Sequence, residues 1–335
     1  LYVQNKEGHF SRHQAELFNE HAKSEDVSHV FFDADNDGDL DLLVVSGGNE
    51  FVSGDPLKPR MYFNTSGLFH YESSAFSGVS VNASVVRVID IDNDGDKDIL
   101  IGSNVLPGKF GETSGNFLFV NNGFGVFSEA SESFGADFIH VGLINDLSVA
   151  DFDGNDFDDF VAVGDWMPLT LFFNDGKSLK AIAIPDSEGW WNAVAVADFD
   201  HDGDLDVVAG NWGYNTRLTA SKKEPIELFR SDFDDNGTVE TLITYYYRGQ
   251  QTLLASKDEL HKQMPFIKKK YLHYNEFAKA AITDIFPKDK LKSAMRKDVR
   301  MLSTTYFENL GNNSFKPHIL PEGTQQSSVN HILVD

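Results

Sequence analysis

Short apolar runs recur along the chain, each interrupted by a cluster of acidic residues and glycine. "HVFF", "VRVI", "LSVA" and "AVAVA" end at Phe32, Ile89, Ala150 and Ala197, and after each cluster come "LLVV", "ILIG", "FVAVG" and "VVAG". Runs this short, apolar at successive positions rather than at helical spacing, predict strands buried on both faces. A third unit follows: an aromatic strand, a Gly/Asn turn and a second strand, as in "LYVQNKEGHF", "MYFNTSGLFHY", "LFVNNGFGVF", "LTLFFNDGKSL" and "TYFENLGNNSF". Strand, acidic loop, strand and aromatic hairpin make four antiparallel strands per unit, which is one propeller blade.

The expected fold is therefore all-β: a β-propeller of about six to seven four-stranded blades, incomplete in this chain, with a small helical insertion. The 335 residues are expected to form one domain, with blade loops starting at Asp33, Asp90, Asp151, Asp198, Asp232 and Asp335. The intervals between the first five starts are 57, 61, 47 and 34 residues, so the last is compressed. The pattern predicts five blades with loops and a partial blade at each end.

The acidic loops carry the chemistry. "DADNDGDLD" sets five carboxylates within nine residues, at Asp33, Asp35, Asp37, Asp39 and Asp41. Two carboxylates about 4 Å apart repel by about 4 kcal/mol at an effective dielectric near 20, so a curled loop of this kind calls for a cation. Asp33, Asp35 and Asp37 are placed to converge, Gly38 permits the sharp turn, Asp39 is expected to lend its carbonyl, and Asp41 closes the shell. The same positions recur in Asp90, Asp92, Asp94, Asp96 and Asp98, and in Asp198, Asp200, Asp202, Asp204 and Asp206. "DFDGNDFDD" keeps Asp151, Asp153 and Asp159 but has Asn155 at position five and Asp156 in place of the glycine. "DFDDNGTVE" offers Asp232, Asp234, Asn236 and Glu240, with less charge. Three full calcium sites and two departing ones are expected.

Charge and composition narrow the function. The net charge is -24, yet the five loops hold 24 of the 52 acids and a single base, Lys97, leaving 28 acids against 27 bases elsewhere. That balance gives no support to nucleic-acid binding. Cysteine is absent, so neither disulfides nor thiolate metal sites are available. No apolar run has the length of a membrane span, and Leu1 to Phe10 lacks the charged and apolar regions of a signal peptide, as expected of a mature protein or a segment of one.

The loops with their flanking strands resemble FG-GAP or VCBS repeats, the calcium-binding propeller blades also seen in integrin α-subunit head domains. "VAVGDWMPLTLFFNDG", "GWWNAVAVADFDHDGDLD", "GNWGYNTRL" and "ASKDELHKQMPFIKKKYLHYNEFAKAAITDIF" are similar to exported VCBS-repeat proteins of Bacteroidetes-like bacteria, often named together with an ASPIC/UnbV domain that is not evident here. The resemblance implies a propeller fold and Ca2+, with roles in adhesion, surface recognition or polysaccharide breakdown.

Two regions lie outside the repeat. Residues 253–300 change character: Ser256 and Glu259 form a capping box opening a helix that Pro265 ends, and "NEFAKAAITDIF" predicts a second helix ended by Pro287. Residues 257–300 carry twelve Lys/Arg and six Asp/Glu. This basic segment reads either as a solvated insertion resting an apolar face on the rim or as a partner-binding arm or lid. The second region is a cluster of Trp166, Trp190, Trp191, Asn192, Asn211, Trp212, Tyr214, Asn215 and Arg217, suited to packing between sheets or to a ligand surface.

The eleven histidines are scattered, and no HExxH or GxSxG context occurs. The expected function is a non-catalytic, calcium-binding recognition or adhesion module for a glycan or protein ligand, exported to the periplasm, cell surface or exterior. A carbohydrate-active enzyme or its accessory domain is the first alternative, a scaffold for another domain the second.

Overall fold

The computed structural model describes residues 1–334, so the expected loop start at Asp335 lies outside the described residues. The chain is mostly β, in antiparallel sheets of four strands. Asp26–Phe32, Asp41–Ser46, Arg60–Thr65 and Leu68–Glu72 form the first sheet in chain order. Val85–Ile89, Asp98–Gly102, Phe117–Asn121 and Phe127–Glu129 form the second. Leu143–Ala150, Asp159–Met167, Thr170–Asn174 and Leu179–Ala183 form the third, to which Gly189–Trp190 adds. Every aromatic hairpin expected in this part of the chain forms where the sequence placed it.

The fourth sheet departs from the expected order. Ala193–Ala197 and Asp206–Gly210 pair with Thr305–Asn309 and Phe315–Ile319, Val207 facing Phe307. Residues 211–304 are inserted between its second and third strands. The inserted segment builds its own sheet, in the order Gln250–Leu253, Glu240–Tyr247, Ile226–Ser231, Met295–Val299. Five successive units are thus corrected to four successive sheets and one insertion. The compressed 34-residue interval arises because the hairpin that completes the fourth sheet is "TYFENLGNNSF", far downstream.

The continuous apolar runs follow from burial on both faces. Leu42 and Val44 pack with Tyr62 and Phe69, whereas Leu43 and Val45 turn the other way, onto Val86, Ile99 and Ile101 of the second sheet. Leu100 and Leu118 then meet Ile144, Phe160 and Phe172 of the third, whose Val161 and Leu171 meet Val207 and Phe307 of the fourth. The first strands of successive sheets lie against one another. The Val86 N–H donates to Ser28 Oγ at 3.3 Å, Arg87 Nε to the Leu147 carbonyl at 2.9 Å, and the Val194 N–H to Asp146 Oδ2 at 3.0 Å. Polar ties therefore run from each first strand to the next.

The basic insertion is helical and packs an apolar face on the inserted sheet. The capping box forms as expected, Ser256 N–H donating to Glu259 Oε2 at 2.7 Å ahead of the helix Lys257–Gln263. The second expected helix is split into Tyr274–Phe277 and Ile282–Ile285. The break follows from Asp284, whose carboxylate accepts the Ala281 N–H at 2.9 Å and starts a new helix there. Leu260, Met264, Ile267, Phe277, Ile285 and Phe286 bury against Phe229, Phe233 and Leu242.

Candidate functional site

All five acidic loops share one backbone design. Position four is left-handed in each, at Asn36 (φ 60), Asn93 (φ 58), Gly154 (φ 71), His201 (φ 66) and Asp235 (φ 59). Position six is left-handed too: Gly38, Gly95, Gly203 and Gly237 occupy it, and Asp156 adopts it at φ 66. Aspartate, like asparagine, tolerates this region better than most residues with a Cβ, so the missing glycine does not change the loop's course.

Side chains hold each turn. In four of the loops the position-one carboxylate accepts backbone N–H groups from residues five and six, as Asp33 does from Asp37 (3.1 Å) and Gly38 (3.0 Å), and Asp232 from Asn236 (3.1 Å) and Gly237 (2.8 Å); Asp90 accepts only the Gly95 N–H of these two, at 3.2 Å. The position-five oxygen accepts the N–H two residues on, whether from aspartate (Asp37 from Asp39, 2.8 Å) or asparagine (Asn155 from Phe157, 2.8 Å; Asn236 from Thr238, 2.7 Å). An amide oxygen does this as well as a carboxylate, which explains why Asn155 and Asn236 leave the turn intact.

Position nine has a structural role that sequence reasoning missed. Asp41, Asp98, Asp159 and Asp206 are fully buried. In each, one carboxylate oxygen accepts the N–H of loop position two and the other accepts an N–H from the third strand. For Asp98 the donors are Ile91 at 2.9 Å and Asn121 at 2.8 Å; for Asp159 they are Phe152 at 2.9 Å and Asn174 at 2.7 Å. The third-strand asparagine then reaches across sheets: Asn121 Nδ2 donates to the Ala34 carbonyl and Asn174 Nδ2 to the Ile91 carbonyl, both at 2.8 Å. The "FVN" and "FFN" strand ends are the sequence signal for this clamp.

The loops gather carboxylates. Oxygens of Asp33, Asp35 and Asp37 lie within 4.8 Å of one another, as do those of Asp90, Asp92 and Asp94. In the remaining loops the converging trios are Asp151, Asp153 and Asp159; Asp198, Asp200 and Asp206; and Asp232, Asp234 and Glu240. Each group could hold a metal ion, including both groups whose sequences depart from the pattern. The carboxylates of Asp39 and Asp96 are engaged elsewhere: Asp39 accepts the Ser66 N–H at 2.6 Å, and Asp96 accepts Asn36 Nδ2 at 2.7 Å, joining the first two loops. Asp202 and Asp204 stand exposed beside their trio.

A cation fits these groups on the structure's own evidence. Asp35, Asp90, Asp92 and Asp234 each bury a carboxylate oxygen, Oδ1, that receives no hydrogen bond. A buried acceptor without a donor is costly, about 1–3 kcal/mol or more for a charged group, unless an ion completes it. Burial pushes Asp35 and Asp92 above the usual carboxylate range, with the neighbouring Asp37 and Asp94 adding to the shift. Burial also lifts Asp98 to about 7 and Asp159 to about 6, against the pull of their N–H donors. The inserted loop is different. Lys290 Nζ donates to the Asp232 carbonyl at 2.8 Å and contacts the Asp235 carboxylate, while the Gly237 N–H holds Asp232 below its usual range.

The aromatic cluster divides. Trp191 lies in the core, fully buried, with Nε1 donating to the Ser187 carbonyl at 2.9 Å. Asn211 is buried too, its Nδ2 donating to the Met301 carbonyl at 3.0 Å, and Asn192 is half-buried. Trp166, Trp190 and Trp212 stack edge to face, with ring centroids 5.1 and 5.4 Å apart. Of these, Trp212 is the exposed end, 45% accessible, and near it in sequence Tyr214, Asn215 and Arg217 are exposed as well. Trp166 has φ 58 in a strand bulge, a conformation that costs a bulky residue of order 1–3 kcal/mol.

Residues 151–209 match the family model for an FG-GAP-like repeat. This segment is an FG-GAP-like repeat. The match opens on Asp151, in one of the two loops whose sequences depart from the pattern, and runs through the rest of the third sheet into the second strand of the fourth. No curated protein shows significant similarity to the chain. Among solved structures, the chain is similar to an Agrocybe aegerita lectin that recognises non-reducing terminal N-acetylglucosamine, at 17% identity and TM-score 0.36, covering 82% of this chain and 58% of the lectin. It is also similar to the V. cholerae biofilm matrix protein Bap1, at 12% identity and TM-score 0.28, covering 88% of this chain and 65% of Bap1. The chain thus spans less than two thirds of either protein. An FG-GAP-like repeat within a β-rich chain points to a binding or recognition module.

Proposed function

We propose that the chain is a calcium-stabilised recognition module of propeller type, acting at the cell surface or in another exported compartment on a glycan or protein ligand, without catalysis of its own. The observation that carries this reading is the recurrence, in five loops of identical backbone design, of three converging carboxylates, with a donorless buried oxygen in three of the loops. Oxygen-only donor sets on flexible loops suit Ca2+, and millimolar calcium outside the cell would fill even weak sites. Succession of the sheets, with each first strand tied to the next, supports the propeller arrangement.

Bound calcium would supply positive charge that offsets carboxylate repulsion. Positions one, three and five would hold it in the first two loops, and positions one, three and nine in the others. The chain's own residues then act as frame: position nine pins the loop to the third strand, and the third-strand asparagine pins one sheet to the previous loop. A lysine does sit beside an acidic loop, which would suit calcium-assisted chemistry, but Lys290 is engaged by Asp232 and Asp235 instead of facing a cleft.

The test is a glycan-array screen together with a polysaccharide-depolymerisation assay, each run with calcium and with chelator. Calcium-dependent binding without product is the expected result. Product formation would make the chain an enzyme, and silence in both assays would remove the glycan-recognition reading.

A further inference from the structure

We infer that a cavity at the end of the third sheet opposite that sheet's own acidic loop, with Val239 of the inserted acidic loop in its wall, binds an uncharged saccharide. This rests on the recognition reading and gives it a site. The cavity measures about 460 Å³ and lies where the segment after the second sheet's second strand, the end of Asp159–Met167, the inserted sheet and its capped helix converge. That volume is within the range of small-ligand pockets, about 300–1,000 Å³, and accommodates one or two sugar rings.

Two neighbouring β-bulges shape it. The strand Leu143–Ala150 shifts register between Ile144 and Asp146, releasing Asn145, and Asp159–Met167 shifts between Asp165 and Met167, where Trp166 takes its left-handed backbone. Bulges re-aim side chains, and strain kept in a bulky residue is the kind of feature that marks ligand sites. Asn145 is fixed on both sides, its Oδ1 accepting Asn104 Nδ2 at 2.7 Å and its Nδ2 donating to the Trp191 carbonyl at 2.8 Å. Asn104 is thereby oriented at the cavity wall beside Asp165, a half-buried carboxylate that joins no ion pair among the described residues.

The charges around this space balance. Glu112 is matched by Arg230 and, at 3.9 Å, by Lys109, while Lys297 lies within attractive range of Asp165. An anionic ligand would meet Asp165, and a cationic one would gain no surplus of acid. What the wall does offer is an acceptor for hydroxyl groups at Asp165, a fixed amide at Asn104, an exposed amide at Gln263, and the ring of Phe110, 58% accessible, beside the opening. Carboxylate, amides and an aromatic face together match a polyhydroxylated ring.

The experiment is calorimetric titration of the calcium-loaded full chain with glucose, galactose, mannose, N-acetylglucosamine and their β-linked disaccharides, with glucuronate as the charged control. One neutral sugar is expected to bind, with Asp165→Asn weakening it about tenfold or more, as for loss of a charged hydrogen-bond partner. Gln263→Ala, an exposed position that leaves folding intact, is expected to weaken it severalfold, and Trp212→Ala to leave it unchanged. If Asp165→Asn does not fold, Thr241→Trp, which fills the cavity, must abolish binding. A neutral sugar bound with full affinity by the Asp165, Gln263 and Thr241 variants but lost in Trp212→Ala would overturn the cavity while leaving glycan recognition standing. Binding of glucuronate alone would also overturn it. No binding of any sugar here, combined with a silent glycan array, would end both readings.

Discussion

The loop at Asp90 and the loop at Asp232 have the same backbone and different anchors. Asp98 closes the first with both oxygens occupied, one by the loop and one by the third strand. Glu240 closes the second with one oxygen accepting the Phe233 N–H at 2.9 Å, and Lys290 from the basic insertion lies against the loop. The first is an acidic cage tied into its sheet. The second has part of its charge offset by an ammonium group of the chain itself. Identical turn geometry therefore does not mean equal dependence on an external cation, and the difference lies in residues outside the nine-residue loop.

Several substitutions would break or sharpen that contrast. Asp98→Ala strands two buried N–H groups, at about 1–3 kcal/mol each, so unfolding by denaturant should show a loss of about 2–6 kcal/mol. Glu240→Ala strands one, and about half that loss is expected. Equal losses would show that the third-strand clamp has no energetic weight. Next in size, Asp92→Ala should lower the melting temperature in calcium more than Asp234→Ala does, because the Asp90 loop has no ammonium group beside it, whereas Lys290 lies against the Asp232 loop. The reverse order would contradict the proposed role of Lys290.

A pH series gives a smaller effect of defined sign. Asp98 at about 7 and Asp159 at about 6 bind their protons more tightly folded than unfolded, where carboxyls titrate near 4. Their contribution favours the metal-free fold at low pH and is lost as pH rises through about 6 to 7. Chelated protein should therefore melt lower at pH 8 than at pH 5, and the rise on adding calcium should be larger at pH 8. A calcium effect independent of pH would remove these carboxyls from the account. Smallest of all, Lys290→Met should leave the melting temperature in calcium nearly unchanged and make the inserted loop's share of stability more sensitive to chelator, as read by hydrogen exchange at Phe233 and Gly237.

Much of this was legible because it is local. Continuous apolar runs buried on both faces, the hairpins and the capping box at Ser256 all depend on residues a few positions apart, and the structure places them as the sequence predicts. The split of the fourth sheet was hidden because it rests on Val207 meeting Phe307, a pairing that no local pattern encodes. The departures at Asn155 and Asp156 leave the turn intact because it needs only an oxygen at position five and a residue that adopts positive φ at position six, which an amide and an aspartate both supply. Trp191 and Trp212 have similar sequence surroundings, yet one is in the core and the other at the surface, because burial depends on which sheet lies opposite.

Melting of the full chain with calcium and with excess chelator, paired with a calorimetric count of bound calcium, tests the central claim most directly. The account predicts uptake of calcium by several of the five carboxylate groups and a clearly higher melting temperature in its presence. Equal melting temperatures and no measurable uptake would contradict it.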